Sequence, residues 1–112
     1  MGNSKDKLMA VDETLKNLGA LNPKAMKSFR EYMNSVKMDG ALSPKIKTII
    51  GVAVAVSRQC EYCVPFYVKQ ALDSGATKEE ILDACMMAAL LGGGPAITFI
   101  KHVYDALEDL IK

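Results

Sequence analysis

The sequence lacks an excess of charge of either sign: 14 Lys and Arg stand against 13 Asp and Glu in 112 residues, a formal net charge of +1. A chain so balanced presents no net field to a nucleic-acid backbone or an anionic membrane, so neither is expected as a partner. Long apolar runs are missing too. The two longest, Ile49 to Val56 and Ala84 to Gly94, fall short of the roughly 20 residues that cross a bilayer. No basic, apolar, small-residue leader stands before them, and a cytoplasmic location is the expectation. Met1-Gly2 could open a myristoylation motif, but Asp6 stands where that motif takes Ser or Thr, so lipidation is not expected.

Cysteine and histidine are scarce. Three Cys are an odd number for a disulfide-stapled framework, and a chain of this length can bury roughly two thirds of its surface without staples. A structural zinc site needs four ligands. Only Cys60, Cys63, Cys85 and His102 could supply them, and no second C-x-x-C or H-x-x-x-H pair exists to form the other half. No metal is expected, and no cofactor beyond the Cys60–Cys63 pair itself.

What the chain has is apolar residues, half of the total, at helical spacing. Leu8, Val11, Leu15 and Leu18 predict a helix over about residues 5–18. Asn22-Pro23 reads as a cap followed by proline at the first helical position, with Met26, Phe29, Tyr32, Met33 and Val36 as the buried stripe, and Asp39-Gly40 ends that helix. Ser43-Pro44 opens a third segment that runs to Cys60. Its β-branched middle, Ile49 to Val56, would taken alone suit a strand leading into C-x-x-C, as in a thioredoxin-like unit. The sheet of such a unit needs more strands than the other segments can supply, so a helix buried on nearly every side is expected. Thr77-Lys78-Glu79-Glu80 is a capping box. Ile81, Cys85, Ala88 and Ala89 follow on an inner face, Gly92-Gly93-Gly94 stops that helix, and Pro95 begins a last one through Ile111. The expectation is an all-α bundle of five to six helices forming a single domain over residues 1–112, with 1–40 as N-terminal helices.

The chemistry gathers at Cys60-Glu61-Tyr62-Cys63. Pro65 is tolerated only in a helix's first turn, which puts the helix start near Glu61 or Tyr62 and Cys63 inside that turn. There, unpaired amides and the positive end of the helix dipole favour a thiolate, so Cys63 is expected to be more acidic than a free cysteine. Cys60 is close enough to form a disulfide with it, so the expected order is attack by the Cys63 thiolate and resolution by Cys60, with the reverse order left open if Cys60 is the more exposed. Cys85 reads as a small apolar residue of the core.

The C-E-Y-C start, the run Gly75-Ala76-Thr77-Lys78-Glu79-Glu80-Ile81 and the Gly92-Gly93-Gly94-Pro95-Ala96 stop resemble the carboxymuconolactone decarboxylase / alkyl hydroperoxidase D-like family, over about residues 41–105 as the family core. The resemblance implies an all-helical fold assembled as a homo-oligomer, a trimer or a hexamer. It also implies that the cysteine-bearing branch reduces peroxides or disulfides through the pair, reset by an external dithiol. In that branch a glutamate about three helical turns before the first cysteine and a histidine one turn after the second form a proton relay. Thr48 and Tyr67 stand at those positions here. A tyrosine hydroxyl can donate a hydrogen bond to a thiolate or peroxide oxygen but is a poor base at neutral pH. His102 could substitute from the last helix, although it reads as readily as a partly exposed packing residue. Three functions follow: a thiol-dependent reductase of peroxides or disulfides; lactone decarboxylation, which would leave the dithiol idle; and a non-catalytic scaffold that has lost its relay.

Overall fold

The structure, a computed structural model, describes residues 3–111. The lipidation start weighed at Met1-Gly2 lies outside the described residues. Six helices follow in order: α1 (Asn3–Leu21), α2 (Pro23–Lys37), α3 (Pro44–Ser57), α4 (Cys63–Asp73), α5 (Lys78–Gly92) and α6 (Gly94–Leu110). Three begin on side-chain caps. Asn22 Oδ1 accepts from the Ala25 amide at 3.1 Å and Ser43 Oγ from the Ile46 amide at 3.2 Å, each with proline next in sequence. Thr77 Oγ1 accepts from the Glu80 amide at 3.1 Å, and Glu80 Oε1 accepts from the Thr77 amide at 2.9 Å. Both orphan donors at this helix start are thereby satisfied. The Thr77 amide, and then Lys45 at 3.0 Å, hold the Glu80 carboxyl below its usual range and link α5 to α3.

The β-branched segment is helical because its burial repeats at three to four residues. Ile49, Val52, Ala55 and Val56 face the core, a period that a strand cannot give. α3 packs most extensively against α4 and α5, and α6 closes the bundle against α5 and α4. Val52, Val56, Val64, Val68, Ile81 and Val103 are fully enclosed between them. Cys85 joins this core, where burial pushes its thiol up to about 11, beyond useful ionisation at neutral pH.

Two expectations need correction. α3 ends at Ser57 rather than running to Cys60, and it is not buried on nearly every side. Ile46, Ile50 and Val54 form a stripe that is 40–49% exposed. Likewise no residue of α2 is buried; Met26 and Met33 are half-buried while Phe29, Tyr32 and Val36 stand open. The apolar period of α2 is real, but in the single chain only α1 and the edge of α3 are there to meet it. Among the described residues no helix is long and apolar enough to cross a membrane.

Candidate redox site

The site is assembled by the way α3 stops and α4 starts. The Gln59 amide bonds back to Val56 O at 3.1 Å and the Cys60 amide to Ala55 O at 3.1 Å. This is a Schellman ending, with Gln59 in the left-handed position at φ 54°. Glycine usually takes that place, and a glutamine there stores strain beside the cysteine pair. α4 then starts at Cys63, one residue after the expected boundary, with Pro65 in its first turn. The Cys60 carbonyl accepts from the Val64 amide at 3.2 Å, and Cys60 Sγ accepts from the Cys63 amide at 3.1 Å. The amide, carbonyl and sulfur of Cys60 are therefore all anchored.

Cys60 and Cys63 form a disulfide, with Cα atoms 5.2 Å apart. The first-turn amide argued for Cys63 from the sequence does act on a sulfur, but the sulfur that receives it is that of Cys60. Glu61, inside the motif, turns outward and pairs with Lys7 of α1 at 3.4 Å on the surface. Glu61 is the exposed member of this pair at 58%, while the Lys7 side chain is only 16% exposed.

Both cysteines open onto a cavity of about 660 Å³ between α2, α3 and the start of α4. Tyr67 lines it as well, one turn beyond Cys63. Its ring lies so close to α3 that a Cβ on Gly51 would come within 2.5 Å of it, and Phe66 meets it edge-on at 5.1 Å. Lys37 Nζ sits above both rings, 5.1 Å from the Phe66 centroid and 5.3 Å from that of Tyr67. Burial holds the Lys37 ammonium below its ordinary pKa.

Of the residues singled out from the sequence, the structure brings Cys60, Cys63 and Tyr67 together. Thr48 is buried on α3 with its hydroxyl donating to Pro44 O and Lys45 O, and it does not line the cavity. His102 is half-buried on α6 against Phe99, with ring centroids 4.4 Å apart, and it too is absent from the cavity wall. Sequence reasoning missed Lys37, Gly51 and Gln59. Gly51 carried a signal, since a glycine inside a helix costs about 1 kcal/mol against alanine and so marks a close approach.

Fold and site together define a small all-helical protein with a C-x-x-C disulfide pinned between a helix end and a helix start. The family model described as the carboxymuconolactone decarboxylase family matches residues 23–107, and the chain belongs to that family. An uncharacterized protein of Cupriavidus necator is 33% identical over 107 residues, covering 93% of this chain and 95% of that protein. An uncharacterized protein of the cox locus of Paracoccus denitrificans is 38% identical over 83 residues, covering 74% and 75%. Among solved structures, a carboxymuconolactone decarboxylase family protein from Legionella pneumophila superposes with a TM-score of 0.96 at 28% identity, covering 100% of both chains. A Thermotoga maritima protein of the same family superposes at 0.82 and 24% identity over 94% of this chain and 90% of its own.

Proposed function

We propose that this chain is a thiol-dependent oxidoreductase that reduces peroxides or disulfides through the Cys60–Cys63 pair and is reset by an external dithiol. The observation that carries the reading is the Cys63 amide donating to Cys60 Sγ in the wall of a cavity. A helix-start amide aimed at a sulfur stabilises that sulfur as a thiolate, the form that attacks. In the reaction, the Cys60 thiolate attacks the outer oxygen of a hydroperoxide and the O–O bond breaks. The inner oxygen leaves as an alkoxide and takes up a proton to become an alcohol. The Cys63 thiol then attacks the sulfenic sulfur, forming the disulfide and expelling water. An external dithiol returns two electrons and two protons by thiol exchange. Such a cycle suits the cytoplasm, where thiols are kept reduced. Tyr67, bordering the same cavity, is the residue available to hydrogen-bond the thiolate or the peroxide.

The test is a thiol titration of the reduced protein across pH, with the mass of the peptide carrying both cysteines read before and after a hydrogen peroxide pulse. The expected result is one thiol ionising well below about 8.5 and a peptide lighter by two hydrogens. Two ordinary thiols and no disulfide would end the reading.

The same reading includes a homo-oligomer, a trimer or a hexamer. It is supported by Met86, Met87, Leu90 and Leu91, which are 58–84% exposed along α5. Contiguous exposure on this scale is uncommon in monomers. Light scattering after gel filtration should return a multiple of 12.1 kDa, and a mass of one chain would count against assembly.

A further inference from the structure

The charges around the cavity are one-sided although the chain as a whole is balanced. Lys37, Lys47 and Arg58 line it, and no Asp or Glu does. Lys47 is already committed, with Nζ donating to Val36 O at 2.8 Å and Met38 O at 2.7 Å, which closes the C-terminal end of α2. Lys37 is in a different position. Its ammonium is held over two aromatic rings and is partly desolvated, and the ion pairs among the described residues all lie elsewhere. A cation withdrawn from water without a counter-charge is costly, and an anion brought to it recovers part of that cost. Much of the rest of the wall is apolar, with Met33, Val36, Ile50 and Val54 from α2 and α3. Its size of about 660 Å³ falls within the range of small-molecule sites.

Building on the redox reading above, we propose that the oxidant this cavity selects is an anionic amphiphile, an aliphatic carboxylic acid carrying a hydroperoxide. Lys37 takes the carboxylate, and the apolar walls of α2 and α3 take the chain. The O–O bond is delivered to Cys60 and leaves as a hydroxy acid and water, the two electrons coming from the cysteine pair as it closes to the disulfide. Hydrogen peroxide itself gains nothing from either the cation or the apolar wall, so it would oxidise the pair with less selectivity than the hydroperoxy acid.

The test uses the oxidised, full-length protein, which cannot react, and the probes decanoate and 1-decanol. Calorimetric titration is expected to show saturable decanoate binding at least about tenfold tighter than that of the alcohol, the scale of one charge-assisted contact. Lys37→Gln should bring decanoate down to the level of the alcohol, and Lys37→Arg should keep the preference, with circular dichroism confirming that both variants are folded. Equal binding of acid and alcohol, no loss in Lys37→Gln, or no binding of either probe would overturn the proposal. Failure of the underlying chemistry is separable. A disulfide formed by hydrogen peroxide without decanoate binding sinks only the substrate class. Decanoate binding without disulfide formation supports the site while removing the redox reading beneath it.

Discussion

Cys60→Ser is expected to slow the first reaction of the reduced protein with a hydroperoxide by a hundredfold or more, an order of magnitude set by loss of the activated thiolate. Cys63→Ser should leave that first reaction within about tenfold of the parent and abolish every later turnover. The asymmetry follows from one contact. The Cys63 amide donates to Cys60 Sγ, and a serine at position 63 keeps that amide, so the Cys60 thiolate keeps its donor. A serine at position 60 removes the sulfur that the donor serves. The remaining Cys63 sits in the helix's first residue, where it has the dipole but not that amide, since its own N–H points away toward position 60.

Single-turnover kinetics with a sulfenic-acid trap decides the order. Trapped adduct on Cys60 in the Cys63→Ser variant, with little on Cys63 in the Cys60→Ser variant, is the expected pattern. The reverse pattern would assign the attack to Cys63 and make the amide contact a feature of the disulfide alone. Equal and slow labelling of both would leave neither sulfur activated.

Much of this was legible in the sequence, and the limits have physical causes. Helix starts at Asn22, Ser43 and Thr77 were readable because a cap is a local bond between residues a turn apart. The cysteine pair and the placement of Tyr67 one turn beyond it were readable for the same reason. The direction of the stabilising amide was not, because it depends on how the chain leaves α3. The left-handed Gln59 that turns Cys60 back under the first residue of α4 replaces the glycine that would have announced such a turn. Lys37 was invisible for a second reason, since it reaches the site only by extending its side chain from the end of α2 over the Phe66 and Tyr67 rings of α4. Periodicity marks an apolar face but not what covers it. It therefore read the stripes at Phe29, Tyr32 and Val36 and at Ile46, Ile50 and Val54 as buried, whereas the single chain leaves them open.

Gly51→Val is expected to destabilise the protein by about 3 kcal/mol, at the upper end of what overpacking a filled site costs. A Cβ at this position would lie 2.5 Å from Tyr67 Cδ1 and 2.9 Å from Cε1 and Cγ. These are three atoms of one rigid ring, which Phe66 meets edge-on and the Lys37 ammonium overlies. The ring has to shift, and it is part of the wall of the cavity that both cysteines line. For Gly51→Ala two effects oppose each other. Helix propensity favours alanine by about 1 kcal/mol, while the clash costs about 2 to 3, so a net loss of about 1 to 2 is expected. The decisive measurement is Gly51→Ala repeated in a Tyr67→Ala background, where the obstructing ring is gone and only the propensity gain remains. Urea unfolding should then show the same substitution stabilising by about 1 kcal/mol, a reversal of sign that amounts to a coupling of about 2 to 3 kcal/mol between the two positions. If Gly51→Ala costs the same in both backgrounds, the ring is not what requires glycine there, and the close packing of α4 on α3 at the cavity wall would need another explanation. A reversal would show that the glycine in a β-branched run, which weakens α3 as a helix, is kept because it seats Tyr67 beside the disulfide.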